Sequence, residues 1–249
     1  MLSVFSNWDL ASLIVIGLCA FLAGVAKTGV PALGIAVAAL LAAFVPAKTS
    51  IGLLLPFLIV GDTFAVLHYR QHADLSLLKR LLPHVFIGIG IGAIILNLVT
   101  NSFVRPFLGG LLICLLALDL MRRRFRWDEL RSNQFLAVGI GLLAGICTVI
   151  GNSAGPLMAI YFVLLGMPKY RLMGTAAWFF FVVNISKVPV FIAINIITWE
   201  TVTLFLFLFP LTVFGSVIGV KLLKHTNQIL FDRMIIAFAI LAATWLIIS

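Results

Sequence analysis

From Leu10 onward the chain is a succession of apolar stretches separated by short polar or proline-containing breaks. Several exceed the roughly 18 residues that an α-helix needs to cross a bilayer. No other feature constrains the fold as strongly. In lipid, every backbone N–H and C=O must be paired within the protein, so only helices or closed β-barrels can span. A barrel would show segments of about ten residues alternating polar and apolar, whereas Phe205-Leu206-Phe207-Leu208-Phe209 is apolar on every face. The sequence therefore predicts an all-α polytopic membrane protein. Composition agrees: 63% of the 249 residues are hydrophobic, 10% are charged, and mean hydropathy is +1.23. A soluble domain of this size has no use for so much apolar surface.

Charges, prolines and turn residues divide the chain into ten apolar segments, roughly 10–26, 31–45, 50–68, 77–99, 104–121, 134–149, 156–166, 172–195, 200–220 and 230–248. A basic stretch containing Arg122, Arg123, Arg124, Arg126 and Arg131 separates the first five from the last five. The predicted organisation is an N-terminal repeat over 1–121, a basic cytoplasmic linker over 122–133 and a C-terminal repeat over 134–249. Leu22-Ala23-Gly24 and Leu143-Ala144-Gly145 open matching passages. From there Gly24 pairs with Gly145, Pro46 with Pro168, Gly52 with Gly174, Asp62 with Asn184, Gly88 with Gly215 and Gly92 with Gly219. Five segments per half is an odd number, so the second copy would enter the membrane from the opposite side. Two inverted-topology repeats follow from that count.

Charge supplies the orientation. The net charge of +9 sits between apolar segments, where a membrane protein keeps its cytoplasmic loops, and so does not point to nucleic acid. With the arginine stretch inside, Arg70, Lys79, Arg80, Lys169, Arg171, Lys221, Lys224 and Arg233 also fall inside, and the outer loops keep only Lys48, Arg105 and Glu200. The expected setting is a multi-pass position in the cell inner membrane with both termini outside the cytoplasm. Met1 to Asp9 lacks the basic start of a cleavable signal peptide. Cys19, Cys114 and Cys147 lie in apolar segments and read as packing residues, while His68, His72, His84 and His225 lack metal-ligand spacing. No metal and no cofactor is expected.

Segments one, two, six and seven are the short ones and occupy corresponding places in the halves. Each pair reads as a re-entrant or broken-helix hairpin whose turn stops inside the membrane. The first tip is Ala26-Lys27-Thr28-Gly29-Val30-Pro31, the second Thr148-Val149-Ile150-Gly151-Asn152-Ser153-Ala154-Gly155-Pro156. Pro31 and Pro156 would start the second arms, since proline fits the first helical turn. Helix N-termini would then meet near the midplane, and their free N–H groups and positive dipole ends suit an anion. Lys27 fits that site, because a lysine at membrane depth costs about 2.5–3.5 kcal/mol on insertion scales and is usually placed for function. Candidate ligand contacts are Lys27, Thr28, Gly29, Thr148, Gly151, Asn152 and Ser153, with turn capping the alternative role for Asn152 and Ser153. Asp62, Asn184 and Lys187 form a second polar group. There Asp62 either pairs with Lys27 or Lys187, or carries a coupling proton. Trp178 and Tyr161 could line the pathway or simply pack.

Two motif matches fail on context. Gly88-Ile89-Gly90-Ile91-Gly92 has no strand before it and reads as close helix packing, like Gly215 and Gly219. Gly151-Asn152-Ser153-Ala154-Gly155 matches the G-x-S-x-G of serine hydrolases, but both flanks look helical where that motif needs a strand-to-helix turn. The expectation is that the protein is not an enzyme.

Two halves that each open with a glycine-rich hairpin and a proline, joined by a basic loop, resemble the sulfite exporter TauE/SafE family of membrane permeases. The resemblance spans nearly the whole chain, although Lys27-Thr28-Gly29 stands where the family commonly has a run of glycines. It implies transport of a small sulfur-containing anion such as sulfite or an organosulfonate across the bacterial inner membrane. No ATP-binding G-x-x-x-x-G-K-[ST] motif occurs, so such transport would be secondary. The expected partners are a small anionic substrate and the lipid bilayer, and the sequence leaves a homodimer open. A carboxylate as cargo, a membrane scaffold and an intramembrane hydrolase are the alternative readings.

Overall fold

The computed structural model describes residues 8–31, 33–98, 113, 117, 134–152 and 154–248. Predicted segment five apart from residues 113 and 117, the arginine stretch, Arg105, Cys114 and Ser153 lie outside them. Among the described residues are nine α-helices and no strand: α1 (Leu10–Thr28), α2 (Leu33–Phe44), α3 (Ala47–Tyr69), α4 (Leu75–Leu98), α5 (Gln134–Gly151), α6 (Ala154–Leu164), α7 (Lys169–Ala193), α8 (Trp199–His225) and α9 (Gln228–Ile248). Five helical stretches are long and apolar enough to cross a membrane: Leu10–Thr28, Thr49–His72, Leu75–Ile95, Lys169–Ala193 and Trp199–His225.

The hairpins differ from expectation in their first arms. With 19 and 18 residues, α1 and α5 rise about 28 Å, close to the hydrocarbon thickness. Only the second arms, α2 with 12 residues and α6 with 11, are short. The physical reason is local. The Thr28 hydroxyl bonds back to the Gly24 carbonyl one turn earlier at 2.9 Å, so α1 continues through Lys27 and Thr28 and breaks only at Gly29. Its counterpart α5 runs on to Gly151, and the break there is Asn152, whose φ of 52° no helix can hold. Nor do the prolines start the second arms as expected: Pro31 lies in the turn before α2, and Pro156 is the third residue of α6. Both keep to positions where a missing N–H leaves no hydrogen bond unmade. Pro46 and Pro168 cap α3 and α7 instead.

Glycine sets which helices touch. Helix α1 lies along α8, α4 along α5, and α3 crosses α7. At Gly24 an added Cβ would run into the Thr212 carbonyl of α8, and at Gly215 into the Phe21 carbonyl of α1. The other pair matches: Gly145 abuts the Val85 carbonyl of α4, and Gly88 the Leu142 carbonyl of α5. One turn on, Gly219 meets Val25 and Thr28, and Gly92 meets Ile146 and Val149. Gly88 and Gly92 are therefore packing residues, as the sequence suggests. Around these contacts the buried side chains form two clusters, one built on α1, α2 and the first halves of α3 and α8, the other on α4 to α7 with α9. Large apolar side chains left outside, such as Ile87, Ile94, Leu206, Phe207 and Phe214, face where lipid would be.

The two ends of the bundle are chemically unlike. At one, Arg171 pairs with Asp74 at 2.6 Å, and the Lys169 ammonium donates to the Leu223 carbonyl at 3.1 Å and to that of Thr226. These contacts gather the α3–α4, α6–α7 and α8–α9 turns with their basic residues. At the other, the Trp8 indole N–H donates to Glu200 at 2.9 Å.

Candidate functional site

The two helix breaks meet. Gly155, in the first turn of α6, stands so close to the Pro31 carbonyl that a Cβ there would lie 3.2 Å from it. Beneath this junction lies a cavity of about 30 Å³, room for about two waters. Its walls come from both hairpins and from the crossing of α3 and α7. Lys27, Asp62, Thr148, Asn152 and Asn184 supply the polar lining, and Phe180 the aromatic face.

Each polar group is held by a different element. Lys27, in the last turn of α1, reaches Asp62 of α3 with Nζ 2.9 Å from Oδ1, and lies 4.1 Å from the centroid of the Phe180 ring. The other carboxylate oxygen of Asp62 accepts a hydrogen bond from Asn184 Nδ2 at 2.6 Å. Asp62 and Asn184 were paired by sequence alone and here touch across the α3–α7 crossing. Of the two partners offered for Asp62, the ion pair forms with Lys27. Lys187, fully buried on α7, turns to the second hairpin instead. It donates to Asn152 Oδ1 at 2.6 Å, Thr148 Oγ1 at 3.0 Å and the Thr148 carbonyl at 3.2 Å. Three acceptors match the three N–H bonds of an ammonium. Among the described residues Asp62 is the only buried carboxylate.

The remaining candidates are placed elsewhere. The Thr28 hydroxyl is committed to the carbonyls of Gly24 and Ser216, and Gly29 packs on Gly219, so both belong to the α1–α8 contact and line no part of the cavity. Gly151 ends α5, and Ser153 is outside the described residues. Both flanks of the G-x-S-x-G match are helical, as expected, and among the described residues no histidine lines the cavity. Tyr161 is 2% exposed within the core, and Trp178 packs edge-on against Phe181, so neither borders the cavity. Phe180 is the aromatic residue that does. It was missed because Trp178, Phe179, Phe180 and Phe181 form an unbroken aromatic run whose inward member periodicity cannot single out. Cys19 and Cys147 are buried packing residues, and no group of metal-ligating side chains occurs among the described residues.

The arrangement brings the Lys27 ammonium, the Asn152 amide and the start of a helix from each hairpin to one space, with the Lys187 ammonium held behind Asn152 and Thr148. A family profile described as "Sulfite exporter TauE/SafE" matches residues 15–246. No curated protein and no solved structure matches the chain.

Proposed function

The chain belongs to the sulfite exporter TauE/SafE family, a family of membrane transporters, and from that premise we propose that it is a secondary exporter of a small sulfur-containing anion, sulfite or an organosulfonate. The observation that carries the proposal is the meeting of both helix breaks at one cavity that holds Lys27, Asp62, Asn152 and the fully buried Lys187 behind them. Positive groups at membrane depth are costly, and an anionic cargo explains why they are kept there.

The walls belong to matching pieces of the two halves, which supports reading the chain as inverted repeats related by a pseudo-twofold axis. Exchange of Gly24–α8 contacts for Gly145–α4 contacts, and of Gly219 for Gly92, is what such an axis requires. Alternating access would then move the two hairpins relative to each other around the cavity. The basic end would face the cytoplasm by the positive-inside rule, leaving both termini outside. A reporter enzyme active only in the cytoplasm, fused to either end, is expected to stay silent, and activity at either end would reverse the orientation. A negative-inside potential drives anions outward, at about 2.3 kcal/mol per charge per 100 mV.

Flux of labelled sulfite in proteoliposomes tests the function. The wild type is expected to exceed protein-free vesicles, and Lys27→Ala to lose about tenfold or more in apparent affinity, as removal of a buried charged contact does. Lys27→Arg is expected to keep part of it. Unchanged flux in the alanine variant would remove Lys27 from the site, and absence of flux in folded wild-type protein would remove the function.

A further inference from the structure

We propose that the cavity selects monovalent oxyanions over divalent ones, because its buried groups leave one positive charge uncompensated, and that Lys187 is a positioning residue that turns the Asn152 amide toward the anion. The inference rests on the anion-transport reading and narrows it to a substrate class.

The charge count uses three side chains. Lys27 and Asp62 neutralise each other at 2.9 Å, while the hydrogen bonds of Lys187 go to neutral oxygens, those of Asn152 and Thr148. Among the described residues Lys27 and Asp62 are the charged side chains that line the cavity, and Lys187 stands behind Thr148 and Asn152. Helix α2 is wholly apolar there, and the buried polar groups that α8 brings nearby, Thr212 and Ser216, are neutral. A monoanion beside this trio gives a neutral site. A dianion leaves a net negative charge out of water, which costs several kcal/mol even after relaxation.

Lys187 also fixes the geometry. An ammonium can only donate, so the atom of Asn152 that it holds at 2.6 Å is the oxygen. The amide nitrogen must then point the other way. There Asn152 Nδ2 is buried with no hydrogen-bond partner among the described residues, on a residue that borders the cavity. A buried donor left unpaired is costly, and an oxyanion in the cavity is the acceptor it lacks. The backbone supports this: Asn152 sits at φ 52°, a conformation asparagine tolerates better than most residues, so the amide is presented from a fixed turn.

The test compares labelled methanesulfonate, a monoanion, with sulfate, a dianion, in proteoliposomes holding the full chain. The wild type is expected to prefer methanesulfonate by about tenfold or more, and its sulfite flux to fall as rising pH converts hydrogen sulfite to the dianion. Asp62→Asn adds a second uncompensated charge and is expected to shift the preference toward sulfate. Lys187→Met is expected to weaken methanesulfonate binding at least about tenfold, Lys187→Arg to restore part of it, and Asn152→Ala to add little in the Lys187→Met background, the non-additivity of residues that act together. Equal handling of both anions by the wild type, with Asp62→Asn leaving the ratio unchanged, would overturn the charge rule while transport itself stands. Additive losses at Lys187 and Asn152 would overturn the positioning role. Should Lys187→Met fail to fold, the wild-type ratio and Asp62→Asn still decide the charge rule, and Lys187→Arg with Asn152→Ala decides the positioning. No flux of any oxyanion in folded protein would overturn this proposal together with the transport reading.

Discussion

Asp62 is the residue on which the charges of the site turn. Its carboxylate takes the Lys27 ammonium on one side and the Asn184 amide on the other, both inside a cavity walled by Leu58, Ala176 and Phe180. Removing one partner of a buried pair leaves an uncompensated charge, which typically costs about 3–5 kcal/mol. Asp62→Ala is therefore expected to lower the melting temperature in detergent strongly, and Lys27→Met with Asp62→Leu to recover most of the loss. A double variant no more stable than Asp62→Ala would deny that the pair is coupled. Much of this was legible in the sequence, since a lysine and an aspartate in apolar segments have to find partners. What could not be read was the choice among them. Lys187 lies one helical turn from Asn184 and looks equally able to reach Asp62, yet its side chain goes to Thr148 and Asn152. Only the relative rotation of α5 and α7 decides that, and sequence spacing carries no information on it.

Between helices, the decisive feature is how near two backbones can come. Gly24 and Gly145 each face a carbonyl of the neighbouring helix where no Cβ fits, while Gly90 has open space around it. Gly24→Leu and Gly145→Leu must push α1 from α8 or α5 from α4, at a cost of about 1–3 kcal/mol or more. Gly90→Leu is expected to be silent in the same melting assay. A destabilised Gly90 variant beside intact Gly24 and Gly145 variants would contradict the packing. The packing role of their partners, Gly88 with Gly92 and Gly215 with Gly219, was visible in the sequence because small residues four apart are a packing signal that survives without side-chain geometry. Helix ends were read less well. Lys27 looked like a turn residue, yet a single side-chain bond from Thr28 to the preceding turn keeps it helical. Polar residues at a break can extend a helix as readily as end one.

For the molecule as a whole, the two short second arms, α2 and α6, meet at the wall of one shared chamber. Their starts touch at Pro31 and Gly155, and the polar residues of both hairpins converge there although they are more than a hundred positions apart in the chain. The matching passages at Leu22-Ala23-Gly24 and Leu143-Ala144-Gly145 made two breaks readable. That they face each other was an inference from symmetry, and that one lysine serves each hairpin was not foreseen. The most direct measurement places single cysteines, in a background without the three native ones, at Gly34 on α2 and Thr148 on α5, both of which border the cavity. Each variant is labelled with N-ethylmaleimide in the presence of rising methanesulfonate. If the hairpins form one anion site, the anion slows labelling at both positions over the same concentration range. Protection at one position alone, or at neither while the anion still binds, would contradict it.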